Sequence, residues 1–129
     1  MKNFQYTTET SKPFDTVVQA LERKSAEHGF SVLHTHDVAA TLNGKGFPRE
    51  PLKIVEICNA RYANEALKRN VDVAVMLPCP ISVYTQGGKT FLSTMLPSVL
   101  ADFYPGCGLE ALAGEVEKAV LKIIEEAKA

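Results

Sequence analysis

Two short apolar runs, each closed by a cysteine, constrain this chain more than any other feature. Lys53-Ile54-Val55-Glu56-Ile57-Cys58 is the first, and Val73-Ala74-Val75-Met76-Leu77-Pro78-Cys79 is the second. Runs this short, rich in β-branched residues and bounded by turn formers, read as buried strands. Each thiol falls where its strand stops and the chain must turn. Strand ends are where sheet proteins with packed helices place ligand-handling groups. The two cysteines therefore mark the first place to look for a site.

The remaining pattern builds a sheet and helices around those runs. Asn3 to Thr8 alternates Phe4 and Tyr6 against polar neighbours and predicts a first strand. Ser11-Lys12-Pro13 opens a helix, since Pro suits a first turn. Phe14, Val17, Val18, Leu21, Ser25 and His28 give that helix one inward face, and Gly29 stops it. Phe30 to His36 predicts a second strand. Asp37 is placed to cap a short helix through Val38, Ala39 and Leu42, and Gly44 to Pro48 reads as a loop. Leu52 to Cys58 is the next strand, and Asn59 can cap a helix over Arg61 to Arg69. The almost wholly apolar, β-branched character of Val71 to Leu77 predicts a strand covered on both faces. Pro78 and Pro80 remove two backbone donors and predict a bend or bulge. Ile81 to Thr85 and Thr90 to Met95 form a hairpin through Gly87-Gly88, and Pro97 to Tyr104 a short helix. Leu109, Leu112, Val116, Ala119, Ile123 and Ala127 mark the clearest helix, at the C-terminal end. The expected architecture is one α/β (α+β) domain over residues 1–129. It has two layers, a sheet of about five to six strands with helices packed on it.

Composition narrows the function classes. Hydrophobic residues make up 46% and charged residues 22% of 129, enough for a core without disulfide staples. The formal net charge of −1 provides no field toward nucleic acid or anionic lipid. The aromatics do not interleave with basic residues, so nucleic-acid binding has no support. Met1 to Thr7 lacks the continuous apolar stretch of a signal peptide, and nothing approaches bilayer length. Three cysteines, an odd number, then predict reduced thiols in a cytoplasmic protein with no membrane partner.

Cys58 and Cys79 share a site if their strands are neighbours. Alternation puts Leu52, Ile54, Glu56 and Cys58 on one face, so a carboxylate lies two residues from a thiol. Such a set suits a soft or borderline metal, a redox pair or sulfur carriage. The competing account is packing, because free cysteine is among the most buried residue types. Glu56 would raise a thiol pKa, whereas the start of the following helix would lower it. Cys107, between Gly106 and Gly108, stands before the last helix and is most simply a small residue in a turn. His34 and His36, two apart in a strand, point the same way and could chelate zinc or nickel. The plainer account is a polar exit toward Asp37. His28 at a helix C-terminus is accounted for by the helix dipole. No Walker loop, GxGxxG, GxSxG or HExxH is present.

Three stretches in order carry a resemblance. They are Glu27-His28-Gly29-Phe30-Ser31-Val32-Leu33 with Asp37-Val38, then Glu56-Ile57-Cys58-Asn59-Ala60 with Ala63, Ala66 and Leu67, then Leu77-Pro78-Cys79-Pro80-Ile81-Ser82-Val83-Tyr84. Together they resemble the family catalogued as domain of unknown function 302, from Phe14 to the last helix. The resemblance implies a mixed sheet with helices on it, commonly a homodimer, and no established activity. Its matching positions are Cys58, Asn59, Leu77, Pro78 and Cys79. The chain departs from the family with Ala60 where Pro follows the Asn, and with His36 where an apolar residue is usual. Cys107 has no counterpart.

The expected function is a small cytoplasmic homodimeric domain binding a small ligand or soft metal near the cysteine pair. The expected ligand-binding residues are Cys58, Asn59, Cys79, Glu56 and Pro78. Metal candidates are Cys58, Cys79, His34 and His36, although the sequence requires no cofactor. A cysteine-dependent sulfur-transfer or thiol-redox enzyme is one alternative. A structural dimer with cysteines as core filler is the other.

Overall fold

A computed structural model describes residues 3–129. Five strands form one sheet in the order β1-β5-β4-β3-β2. They are β1 (Gln5–Thr10), β2 (Ser31–Asp37), β3 (Leu52–Cys58), β4 (Cys79–Gln86) and β5 (Lys89–Met95). The helices are α1 (Phe14–Glu27), α2 (Val38–Gly44), α3 (Ala60–Arg69), α4 (Val99–Phe103) and α5 (Glu110–Lys128), with a 3-10 helix at Val71–Met76. This is the two-layer α+β arrangement expected. The sheet is antiparallel at every pairing, not mixed. The reason is the connections: β4 and β5 are joined by a tight hairpin, and β3 returns beside both of its neighbours.

Alternation decides the core. Val55, Ile57, Ile81, Val83 and Leu92 point to one face and are fully buried. They pack under Val17, Val18 and Leu21 of α1 and Val116, Val120, Ile123 and Ile124 of α5. Each such aliphatic side chain contributes about 1.5–3 kcal/mol by leaving water. The sheet's end strand is tied to the same helix layer. Tyr6 donates a hydrogen bond to Glu125, and Lys128 Nζ donates to Thr8 Oγ1 at 2.6 Å. The opposite face carries Ile54, Glu56, Ser82, Tyr84 and Phe91, which stay partly accessible. Tyr84 and Phe91 stack across the hairpin with ring centroids 5.3 Å apart. That hairpin turns through Gly87 and Gly88, both at positive φ (60° and 79°), as a two-residue primed turn requires.

The predicted strand over Val71–Leu77 is a 3-10 helix instead. Both edges of β3 are already filled, by β2 and β4, so no slot remains for another strand there. Asn70 starts the segment by accepting the Asp72 amide on its side chain at 2.9 Å. Val73 alone is fully buried, beside Ala66 and Leu109. Val71 and Val75 are 69% and 85% exposed. An apolar run this short does not distinguish strand from helix by pattern. Pro78 stands at a bend just before β4, as expected, whereas Pro80 does not interrupt the ladder. β4 begins at Cys79, runs through Pro80, and pairs with β3 from Cys79 to Tyr84 without a slip. The bulge lies in β2, between Val32 and His34.

That bulge has a directional effect. Val32 pairs with Ile57 on the helix-covered face, while His34 and His36 pair with Glu56 and Ile54 on the open one. Without the bulge, with Leu33 paired in the ladder, strict alternation would put all three on the covered face.

The 3-10 assignment makes a specific prediction. Val73→Ala is expected to lower stability by about 2 kcal/mol, and Val75→Ala by less than about 0.5 kcal/mol, in denaturant titrations. Equal large losses at both positions would restore the buried strand.

Candidate functional site

The antiparallel pairing of β3 and β4 sets the site. Ile57 and Cys79 are direct cross-strand partners, so Cys58 lies one residue beyond that pair. Both thiols line one cavity under α3, α4 and the start of α5. The cavity is partly open: about 40 Å³ of it admits the centre of a water-sized sphere, within about 480 Å³ of atom-free space that includes its mouth. By the smaller measure it exceeds the roughly 10–15 Å³ that one water needs. Phe30, Ile57, Leu77, Leu109, Leu112 and Val116 supply most of the wall. Ala63, Ala66 and Ala113 leave the room that larger side chains would close. Ala63 and Ala66 are among the positions that carry the family resemblance, and their role as cavity wall appears only in the fold. Ala63 and Ala66 lie three apart on α3, a small-residue spacing that could have pointed to a hollow beneath that helix.

Asn59 holds the mouth in shape. Its side chain caps α3 by accepting the Tyr62 amide at 3.2 Å. Its Nδ2 donates to the Gly29 carbonyl at 3.1 Å. One residue thus joins the α1–β2 turn to the β3–α3 turn. Gly29 sits at φ +79°, and a Cβ there would stand 3.5 Å from that same Nδ2. The left-handed φ is what favours glycine here, since a Cβ at 3.5 Å would be in ordinary contact. Across the mouth, Tyr62 donates to Glu115 at 3.0 Å, and the Arg61 guanidinium lies over the Tyr62 ring at 4.6 Å.

Electrostatics keep both sulfurs protonated. Burial pushes the Cys58 thiol above its ordinary value. Burial pushes Cys79 up to about 11, and the neighbouring Cys58 adds to the shift. No basic group lines the cavity to offset this. The cysteines are free, with no disulfide among the described residues.

The other expected residues are placed as follows. Glu56 is outside the cavity wall, on the open sheet face, where it meets His36 Nε2 at 2.9 Å. His34 lies on that face too, its ring edge-on to His36 with centroids 4.3 Å apart. The two histidines therefore do not join the thiols. Pro78 is outside the wall and sits between two residues, Leu77 and Cys79, that are in it. Cys107 is also separate. Its sulfur accepts a weak hydrogen bond from Asn70 Nδ2 at 3.5 Å and packs beside the small cluster of Ala66, Val73 and Leu109. His28 caps the end of α1 and meets Glu126 at 2.9 Å. Among the described residues no group of three or more His, Cys, Asp or Glu is arranged to hold a metal ion. No helix among them is long and apolar enough to cross a membrane.

Comparison with known proteins bears on the whole chain. The sequence model of the family described as domain of unknown function DUF302 matches residues 6–127. A crystal structure of an uncharacterized conserved DUF302 protein from Bacillus stearothermophilus is similar, with a TM-score of 0.92 and 28% identity. The match covers 98% of this chain and 99% of that one. No curated protein matches.

The site geometry gives two expected outcomes. Asn59→Ala is expected to lower stability by about 1–3 kcal/mol through the lost cap and the orphaned Gly29 carbonyl, read by chemical denaturation. For the thiols the sign follows from burial. A thiol raised in the fold ionises earlier when unfolded, so its contribution is full below the unfolded value, near 9, and is lost as pH rises toward about 11. Stability is expected to fall over that alkaline window by about 2 kcal/mol, and less so in Cys79→Ala. An alkaline profile unchanged by that substitution would refute the assignment.

Proposed function

The chain belongs to the family described as domain of unknown function DUF302, and from its cavity we propose a small binding domain whose ligand lies between Cys58 and Cys79. One observation carries this reading. Two protonated thiols, from neighbouring strand ends, open into a single apolar void. The ligand is small and weakly polar, matched to a wall of hydrocarbon and sulfur. Asn59 chiefly shapes the mouth, with Oδ1 accepting from the Tyr62 amide and Nδ2 donating to the Gly29 carbonyl, and its second N–H is the group it would offer a ligand. Catalysis by a cysteine nucleophile has less support, because the thiolate is the reactive form and burial opposes it here.

Two sulfurs in one hollow also favour a second reading, a soft cation such as Cu(I) held by the pair. Both thiols would have to lose protons, so binding would tighten as pH rises. We also propose a homodimer in which a second copy covers the open sheet face, where Tyr84, Phe91 and Met95 stay partly accessible. A reducing cytoplasmic setting fits the three free cysteines.

Three measurements check these proposals. Xenon, a small apolar probe, is expected to shift NMR signals of Cys58, Ala66 and Leu112, and Ala66→Leu to abolish the effect by filling the void. Native mass spectrometry with metal analysis is expected to find a co-purifying species that the Cys58→Ala, Cys79→Ala double variant lacks. An unchanged profile in that variant would leave the cysteines as core filler. Ser82→Arg, at the middle of the open face, is expected to turn dimer into folded monomer in light scattering.

A further inference from the structure

Cys79 stands in the wall of two voids at once, together with Leu77 and Leu100. The second void, about 20 Å³, lies against Met76, Met95, Pro97 and Val99. The three shared residues form a partition between it and the first cavity. No charged residue lines either side.

The partition rests on short elements. Leu77 follows the 3-10 helix, which contributes a single fully buried side chain, Val73. Leu100 belongs to α4, a helix of five residues. The Tyr104 hydroxyl, donating to the Asp72 carbonyl at 3.1 Å, ties the two elements together. Leucine also retains more side-chain freedom than the stiff β-branched residues that line the sheet. Displacement of Leu77 and Leu100 would join the voids, whereas the first void is otherwise held by the sheet and α5 and the second by the sheet and α4.

We propose that the two voids are the ends of one site, and that its ligand is an unbranched, uncharged apolar chain passing over the Cys79 sulfur between Leu77 and Leu100. This rests on reading the first cavity as the binding site. Apolar voids stay dry and take up apolar molecules. Two small voids that share a wall of three side chains join, when those side chains move, into a volume longer than either, which suits a linear chain over a ring. A charge would find no partner in either wall, so an ionised chain is disfavoured. A hydroxyl or carbonyl end belongs at the mouth, beside Asn59 and Tyr62.

Butan-1-ol, octan-1-ol and cyclohexanol, titrated into the full chain and followed by amide NMR, test this. Each methylene buried contributes roughly fourfold in affinity. Octan-1-ol is expected to bind at least about tenfold tighter than butan-1-ol, a margin below the full methylene count. It should shift signals on both sides of the partition, including Val99, and slow alkylation of Cys79. Cyclohexanol should bind more weakly than octan-1-ol. Val99→Phe, which fills only the second void, should remove the advantage of the long chain and leave butan-1-ol unaffected. Leu100→Ala, which opens the partition, should strengthen octan-1-ol. If butan-1-ol binds beside Cys58 but octan-1-ol gains nothing, or its gain survives in Val99→Phe and is unchanged in Leu100→Ala, the chain ligand is overturned and the first cavity remains a site. If no alcohol shifts Cys58 or Cys79, both readings fall together.

Discussion

The register between β3 and β4 is the constraint on which the rest of this structure depends. Val55 opposes Ile81, and Ile57 opposes Cys79. That alignment puts four buried side chains of the sheet's middle strands on the face that α1 and α5 cover. Side chains alternate along a strand, so a slip of one residue would turn Val55 and Ile57 outward and bring Ile54 and Glu56 under the helices. Burying Glu56 without a partner would be far more unfavourable than burying an aliphatic side chain. The hydrophobic pattern therefore fixes the pairing, and the pairing brings Cys58 and Cys79 to the same end of the sheet.

The cavity follows from that end. Two antiparallel neighbours stop together, and α3 and α5 must bridge the space beyond them. Alanines at 63, 66 and 113 leave a gap where leucines would have closed it. Protein interiors are close-packed, and voids of this size are few per domain. Here the gap coincides with two thiols, and burial holds those thiols in their neutral form. Packing and chemistry are thus coupled: the hydrocarbon wall that makes room for a ligand also removes the solvation a thiolate needs.

The open face of the sheet is a separate chemical region. The bulge at Leu33 sends His34 and His36 there, where His36 meets Glu56. From sequence, Glu56 belonged with the thiols because it is two residues from Cys58. Sequence distance misled at this point, because the strand end lets Cys58 line the cavity while Glu56 stays on the far face. The histidine pair was legible as a pair, since residues two apart in a strand share a face. Its separation from the cysteines was not, because nothing local in Phe30–His36 announces an extra residue in the ladder.

Local chemistry settled much of this protein without reference to the fold. Period-two and period-three-to-four patterns gave five strands and the helices their places, Asp37 and Asn59 were legible as caps, and Gly87-Gly88 as the hairpin turn. Tertiary structure decided the sheet's order and its wholly antiparallel sense. It also decided the fate of Val71–Met76, an apolar run that lost its place in the sheet because both flanks of β3 were taken. The same holds for the hollow between Cys58 and Cys79. Its walls come from segments as far apart in sequence as Phe30 and Val116, and empty space among distant side chains has no signature in the order of residues along a chain.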